Sequence, residues 1–175
     1  RNVGDVAMLF DAMVGRDARD PISLYDPPES FEAAADQRTV PTRIAFSKDL
    51  GVTPVDPEVA ALCERAAGRF ADMGIPVEEA CPDFSGLQHV FQTLRAVNYV
   101  ASLGPLLETH RNVLKPEIVW NIEKGLALTS EEIIRATTER SKIYARAVKF
   151  FDKYDLLLSP VLLLQRAYFP TGQES

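Results

Sequence analysis

Cysteine and histidine are scarce in this sequence of 175 residues, which holds two of each. Cys63 and Cys81 lie among apolar neighbours without CxxC spacing, so we interpret both as small buried hydrophobic side chains. His89 and His110 form no HxxxH or His-Cys pair that would present two metal ligands on one helical face. The sequence therefore predicts no metal and no cofactor, and a reducing compartment is the default expectation.

Positive charge is also in deficit, because 19 Lys and Arg residues stand against 25 Asp and Glu residues, for a net charge of -6. A surface of that sign repels phosphate backbones, so we expect no direct nucleic-acid partner. No stretch approaches the roughly 20 apolar residues that a membrane helix needs, and no secretory leader pattern opens the chain. We expect a cytoplasmic chain without membrane contact.

Glycine-dependent catalytic signatures are missing as well. No serine stands in a Gly-x-Ser-x-Gly frame, which excludes a nucleophile elbow. The segment 48–54, where a phosphate or dinucleotide loop would lie, has one glycine, which excludes nucleotide binding by such a loop. The carboxylate pairs, Glu78 with Glu79 and Asp152 with Asp155, are interpreted as solvated strand ends and not as an acid–base dyad.

Apolar residues make up 46% of the chain, enough for a real core, and the length suits one structural unit. Asn2 followed by Asp5 predicts the capped start of a first helix that ends at Gly15 and is buried on a broad face. The segment 16–36 is rich in Asp, Pro and Ser, which predicts an extended connection with one short helical turn near Phe31.

A strand–helix–strand pattern follows. Residues 42–47 and 75–80 are predicted strands. Asp56-Pro57 supplies an N-cap with proline at the first helical position, and Gly74 closes the helix. Short turns between these elements predict a parallel βαβ unit.

The next segment, 85–125, has helical spacing. We expect Gly104-Pro105 to break its first helix and Pro116 to start a second, shorter one. This segment is the predicted helical excursion between the second and third strands.

The last predicted elements are a long helix and a strand. Thr129 and Glu132 form a capping-box pattern, which predicts a helix that runs to about Lys153. Residues 156–159 are a predicted buried strand, and the apolar run continues through Leu164. The fold class is therefore α/β, with a helix, a βαβ unit, a helical excursion and a returning strand.

One and a half helical turns carry an indole, an amide and a carboxylate, from Trp120, Asn121 and Glu123. These groups can line a ligand cavity, or they can cap a packing contact between secondary-structure elements. We favour the packing contact. Asn98 shares an apolar stripe and is interpreted as a hydrogen-bonded core amide, with a pocket-facing amide as the alternative.

The opening residues, RNVGDVAMLFDAMVGRDARDP, resemble the helix and loop that follow the signature region of amidase signature enzymes. Three further segments occur in the order and at about the spacing that this family shows: RIAFS at 43–47, VDPEV at 55–59 and FFDKYDLLLSP at 150–160. Residues 161–168 depart from the proline-rich form usual after the Ser-Pro dipeptide. The resemblance covers essentially the whole chain.

This resemblance implies a mixed sheet between helical layers and a hydrolase that cleaves amide bonds with a lysine, a cis-serine and a nucleophilic serine. In the family these three groups lie in a Gly/Ser-rich segment upstream of the position that corresponds to residue 1. No Gly-Gly-Ser-Ser stretch occurs in this sequence, so no catalytic residue is assigned to it. On this interpretation the chain is a single fragment of a larger amidase domain and is inactive alone.

The fragment divides into 1–83 (helix and βαβ unit), 84–128 (excursion) and 129–175 (long helix and strand). Its expected partners are the remainder of the amidase chain and a small-molecule amide, and a homodimer is left open. We expect the excursion to form a wall of the substrate channel, with Trp120, Asn121 and Glu123 as substrate-binding residues.

Two other interpretations stay open. One is a non-enzymatic helical scaffold or binding module related to the family by descent. The other is part of an A-type amidotransferase component that processes a charged tRNA.

Overall fold

The computed structural model describes residues 2–25, 27–37 and 39–161, and the chain divides into two compact units, Arg1–Val40 and Pro41–Ser175. The first unit holds α1 (Val3–Met13) and α2 (Phe31–Asp36). The second holds β1 (Ile44–Phe46), α3 (Pro57–Asp72), β2 (Val77–Glu79), α4 (Leu87–His110), α5 (Pro116–Leu126), α6 (Ser130–Phe151) and β3 (Leu156–Leu158). The sequence-based division at 83/84 and 128/129 stays a prediction.

Side-chain caps define both helices of the first unit. The side chain of Asn2 accepts from the Asp5 amide at 2.9 Å, and the Asp5 carboxylate accepts from the Asn2 amide, so the predicted N-cap is confirmed as a capping box. The carboxylate of Asp11 accepts from the amides of Phe31 and Glu32 at 2.7 and 3.1 Å. Asp11 therefore ties α1 to the start of the short helix predicted near Phe31.

The expectation that α1 is buried on a broad face is wrong for the described structure, in which Ala7 is its buried residue. The physical reason is the size of its neighbour, because α2 has six residues and covers only a narrow strip of α1. An apolar groove remains between the two helices. The large apolar side chains of α1 that stay exposed are Val3, Val6, Met8, Leu9, Phe10 and Met13.

The second unit is built on a three-stranded parallel sheet in the order β2-β1-β3, with Ile44 opposite Val77 and Leu156. Helix α3 connects β1 to β2, which confirms the predicted βαβ unit. Its start is set by Asp56, whose carboxylate accepts from the Glu58 amide at 2.8 Å. After its last turn, Gly74 adopts a φ of +84°, which a side chain would oppose.

The central strand carries the core of this sheet, since Ile44 and Ala45 are fully buried. The prediction that strand β3 is buried is wrong, because Leu156 is 44% exposed. In the described part of the chain β3 pairs with β1 on one side only, so its other edge has no covering strand. The expected continuation of the strand through Leu164 lies outside the described residues.

Helix α4 does not end at Gly104-Pro105 as predicted but continues to His110, with Pro105 inside it. Proline removes one backbone donor, and its ring normally clashes with the Cβ of the preceding residue in a helical conformation. Gly104 has no Cβ, so that clash is absent here. Packing of α4 against α5 and α6 also holds its backbone in place.

The helical part of the second unit has a core of small and branched side chains. Those at most 5% exposed are Val90, Thr93 and Ala96 of α4, Asn121 and Ile122 of α5, and Ala136 and Ile143 of α6. Helices α4 and α5 approach each other very closely at Gly125, where an added Cβ would lie 2.4 Å from the carbonyl oxygen of Ala96. Within the described ranges 2–25, 27–37 and 39–161, no helix combines the length and apolarity needed to cross a bilayer.

We expect Gly125→Ala to lower the free energy of unfolding by about 1–3 kcal/mol, because the new methyl group meets the backbone of α4. Gly68→Ala in α3 is the matched control, since a Cβ there meets nothing within 4 Å. That variant should gain about 0.5–1 kcal/mol from the removal of a helical glycine. Urea unfolding midpoints of both variants measure the difference, and equal midpoints would refute the close packing.

Candidate functional site

Helix α5 carries the residues that the sequence singled out. Pro116 occupies its first turn, where the missing N–H costs no hydrogen bond, and the helix ends at Leu126. Asn121 and Gly125 are four residues apart and share the face that packs on α4. The position of Asn121 is therefore set by the same close helix contact.

The amide of Asn121 is 5% exposed. Its Nδ2 donates to the carbonyl oxygen of Glu117 at 2.7 Å, which fixes the amide orientation because a flipped amide would bring two oxygens together. Its Oδ1 is buried and has no hydrogen-bond partner among the described residues. A buried acceptor without a donor costs about 1–3 kcal/mol, so this atom is the local group most in need of a further donor.

Trp120 lies on another side of α5, and its side chain is about half exposed. The Nζ of Lys124, one turn later, lies 4.9 Å from the centroid of the indole ring. Such a cation–π contact at an exposed position contributes about 0.5–1 kcal/mol. The indole is therefore oriented but remains accessible.

Glu123 forms an ion pair with Arg111, with an Arg111 NH2 to Oε1 distance of 2.6 Å. Both side chains are at least half exposed, so the pair contributes about 0–1 kcal/mol. Arg111 immediately follows α4, and the pair links the end of that helix to α5. The carboxylate is thus accessible but already engaged by a cation.

Successive positions on an α-helix point about 100° apart, so Trp120 and Glu123, three positions apart, are neighbours on one side of α5, whereas Asn121 points away from both. Asn121 enters the α4–α5 interface, Trp120 faces outward and Glu123 reaches towards Arg111. Asn121 therefore does not share a side of α5 with the other two. Their assignment as substrate-binding residues stays a prediction.

The interpretation of Asn98 as a core amide is wrong, because its side chain is exposed. The buried positions of α4 are Val90, Thr93 and Ala96, and a residue two positions after Ala96 points about 200° away from it. The backbone carbonyl of Asn98 accepts from the Ser102 hydroxyl at 2.7 Å. The apolar spacing of the sequence predicts a buried face of α4 that is rotated around the helix axis relative to the observed one.

The carboxyl edge of the sheet, where parallel sheets commonly bind ligands, carries Ser47 after β1 and Cys81 after β2. Ser47 is 7% exposed, and its Oγ accepts from the Leu50 amide at 3.0 Å. Cys81 is half-buried, as is Cys63, although the sequence predicts buried side chains. Burial raises the pKa of the Cys81 thiol, so it stays protonated and is a poor nucleophile near neutral pH.

Arg146 of α6 holds the segment that leads from this edge into α4. Its Nε donates to the Asp83 carbonyl at 2.7 Å and its NH2 donates to the Ser85 carbonyl at 2.9 Å. The Oε1 of Glu139 accepts from NH1 at 3.4 Å. Sequence reasoning missed this residue, because an arginine among the many charges of an amphipathic helix gives no local signal of a contact about 60 residues away.

The carboxylate of Glu78 lies in a polar cluster that connects β2 to the turn before β3. Its Oε2 accepts from the Tyr154 hydroxyl at 2.7 Å and from Lys153 Nζ at 3.0 Å. Arg43 NH2 lies 2.8 Å from Oε1. Tyr154, 5% exposed, is the buried member of the cluster and stacks on the ring of Phe150.

These bonds decide the chemistry of the Glu78 carboxylate. The hydrogen bond from Tyr154, followed by that from Lys153, lowers the pKa of Glu78 to about 2. Asp155 also has a lowered pKa, chiefly because its carboxylate accepts from the hydroxyl and the amide of Thr42. Both groups stay ionised at neutral pH and connect strands, so neither is suited to be a general acid there.

The two histidines are exposed, and the Nδ1 of His110 lies 2.7 Å from the Thr109 hydroxyl. Among residues 2–25, 27–37 and 39–161, no three His, Cys, Asp or Glu side chains converge in a way that would hold a metal ion. The groove between α1 and α2 is lined by apolar side chains, and the groove at the start of α1 is lined by Asn2 and Asp5 as well as by apolar side chains. Among the described residues, no candidate metal cluster is present and the two grooves offer mainly apolar surface.

The family model described as Amidase matches residues 1–167. The chain belongs to the amidase family. An acylamidase of Rhodococcus erythropolis is 31% identical over 175 residues, which cover 99% of this chain and 36% of that relative. A glutamyl-tRNA(Gln) amidotransferase component of Lacticaseibacillus casei is 37% identical over 79 residues, which cover 45% of this chain and 16% of that relative.

Among solved structures, a bacterial aryl acylamidase of the amidase signature family matches with a TM-score of 0.81 and 27% identity. The match covers 94% of this chain and 36% of that structure. The predicted membership and the predicted α/β amidase signature fold are thereby confirmed. The chain spans about a third of the length of the acylamidase that it matches.

The Glu78 cluster predicts a pH-dependent stability. A lowered folded-state pKa contributes stability that is present above the unfolded value of 4.5 and is lost as the pH falls towards about 2. We expect Glu78→Gln to reduce the free energy of unfolding at pH 7 and to flatten its decline between pH 4.5 and 2. Urea unfolding at a series of pH values measures this.

Glu79→Gln is the control, because the neighbouring carboxylate is exposed and points to the other face of the strand. It should leave the slope with pH unchanged. Equal slopes for Glu78→Gln and the parent chain would contradict the prediction.

Proposed function

We propose that this chain is a segment of an amidase that hydrolyses carboxylic amides to an acid plus ammonia or an amine. The observation that carries the proposal is the match of residues 1–167 to the family, supported by the TM-score of 0.81 to an aryl acylamidase. Within that enzyme the segment supplies scaffold and one wall of the substrate channel. Its free, half-buried cysteines suit the reducing conditions of the cytoplasm.

The proposed chemistry uses the serine, cis-serine and lysine that the family resemblance implies. The serine oxygen attacks the amide carbon, the lysine and cis-serine move its proton to the departing nitrogen, and an acyl-enzyme forms. Water then attacks the acyl group, which releases the acid and restores the serine. No residue of 1–175 is assigned to these steps, so this segment acts by binding and positioning.

Helices α4 and α5 are the proposed wall. Trp120 offers an accessible indole, and the Lys124 contact on its ring limits its orientations. Glu123 offers an accessible carboxylate beside Arg111. Asn121 offers a buried acceptor without a partner among the described residues, which a polar hydrogen at the wall would satisfy.

Arg146 fixes the start of this wall to α6 through the carbonyl oxygens of Asp83 and Ser85. The contact of Gly125 with Ala96 fixes its middle. The first restraint lies just before α4 and the second within it, so together they make the wall a rigid surface on which a substrate can be oriented.

The first test is chemical activity. We expect the 175-residue chain alone to release no ammonia from simple amides, because it has no assigned nucleophile. A full-length amidase polypeptide that contains the segment should release ammonia or an amine from the same panel. Turnover by the isolated chain, with an intact mass of 19.4 kDa verified in the sample, would overturn the assignment.

A second test addresses the wall in the full-length polypeptide. Trp120→Ala should change the Michaelis constant or the preference among amides with different acyl groups. Asn121→Leu should do the same while keeping or raising stability, because it removes an unsatisfied buried acceptor at similar volume. Steady-state kinetics and urea unfolding separate these two effects.

Leu62→Ala is the control, because Leu62 is exposed and belongs to α3, a helix outside the proposed wall. Unchanged kinetics in both test variants would remove Trp120 and Asn121 from the substrate site and leave α5 with a packing role alone. Loss of activity together with loss of stability in Asn121→Leu would also favour packing.

The similarity to an amidotransferase component over 79 residues supports a second candidate, a protein that acts on a charged tRNA. The net charge of -6 opposes a tRNA surface on this segment itself. Hydrolysis of small amides by the full-length polypeptide without any partner would favour the amidase. A requirement for partner proteins would favour the second candidate, and absence of both activities would favour a scaffold module.

A further inference from the structure

Helix α6 carries a second row of side chains, about a third of a turn around the helix from its buried positions Ala136 and Ile143. The members follow one another at alternating spacings of three and four residues. They are Ile134, Thr137, Ser141, Tyr144, Val148 and Phe151, and we name this row the α6 seam. Alternation of three and four is the heptad spacing of side chains that pack against a neighbouring helix.

The seam is open in the described structure. Ile134 and Tyr144 are 65% and 71% exposed, and Val148 and Phe151 are each 47% exposed. No residue in the described ranges buries these four large side chains. A continuous row of this kind along a 22-residue helix is typical of an interaction surface.

Two hydroxyl residues occupy the middle of the seam, and the helix itself satisfies their donors. Thr137 Oγ1 donates to the Ile133 carbonyl at 2.9 Å, and Ser141 Oγ donates to the Thr137 carbonyl at 3.3 Å. Covering these small side chains therefore leaves no hydroxyl donor without an acceptor. Their size also allows another backbone to approach closely.

We propose that the α6 seam packs against an α-helix from the part of the amidase polypeptide that lies outside the third spanned by this chain. The inference rests on the proposed function. The aryl acylamidase that matches with a TM-score of 0.81 is covered by this segment over only 36% of its length, so most of a polypeptide of that length lies outside the segment and is long enough to supply that helix. The heptad spacing favours a helix over a sheet, at a crossing angle of about 20°.

Continuity with the core supports an intramolecular partner over a second copy of the chain. At the end of the seam, Phe151 packs edge-on against Phe150, whose ring stacks on the buried Tyr154. The seam is thereby continuous with the buried Tyr154 in the turn before β3. The partner helix should place a hydrogen-bond acceptor opposite the Tyr144 hydroxyl, because a buried phenol needs one.

Thiol labelling tests the proposal. In a Cys63→Ser, Cys81→Ser background, Val148→Cys and Ile134→Cys report on the two ends of the seam. Lys142→Cys is the control, since Lys142 is exposed outside the seam. Each variant is prepared both in the 175-residue chain and in the full-length polypeptide.

We expect both seam cysteines to react about tenfold or more slowly in the full-length polypeptide than in the isolated chain, with no change at the control. Equal rates at both seam positions would overturn the proposal. Protection that rises with protein concentration, together with a dimer mass by light scattering, would assign the seam to a second copy and also overturn it.

Ammonia release from the same full-length samples separates this inference from the proposed function. Activity with an unprotected seam refutes the seam partner alone. A protected seam without activity refutes the proposed hydrolysis alone.

Discussion

The close contact between α4 and α5 at Gly125 is the constraint on which the helical part of this segment depends. A side chain at that position would enter the backbone of α4 beside Ala96, so the two helices approach only because Gly125 has none. The contact sets the rotation of α5. That rotation places Asn121 inside the interface and leaves Trp120 and Glu123 at the surface. The candidate wall is thus a consequence of packing, and no short motif specifies it.

Long-range polar contacts connect the remaining parts of the second unit. The Glu78 cluster joins β2 to the turn before β3, and Asp155 joins that turn to the residues before β1. Arg146 joins α6 to the segment between β2 and α4. All three use charged side chains to bind groups far away in the chain, and the first two help to hold the short strands of the sheet together.

Much of the local structure was predictable, because capping and turn chemistry act over a few residues. Asn2 with Asp5, Asp56 with Pro57, and Thr129 with Glu132 each mark a helix start that the structure has. The helix break predicted at Pro105 is wrong, because the effect of this proline depends on the preceding glycine and on the packing of α4. The predicted burial of α1 and of β3 is also wrong. Apolar residues indicate that a surface favours burial, but they do not indicate which segment of the chain buries it.

The sequence by itself determined the α/β class, the helix starts and the family, because these depend on spacing and on motifs within short windows. It also determined that residues 1–175 contain no nucleophile elbow and no glycine-rich phosphate loop. Only the tertiary structure decided that Asn121 is a buried acceptor, that Asn98 is exposed and that Arg146 and Glu78 are cross-links. These properties depend on helix rotation and on contacts between residues about 60 or more apart, which no local pattern encodes.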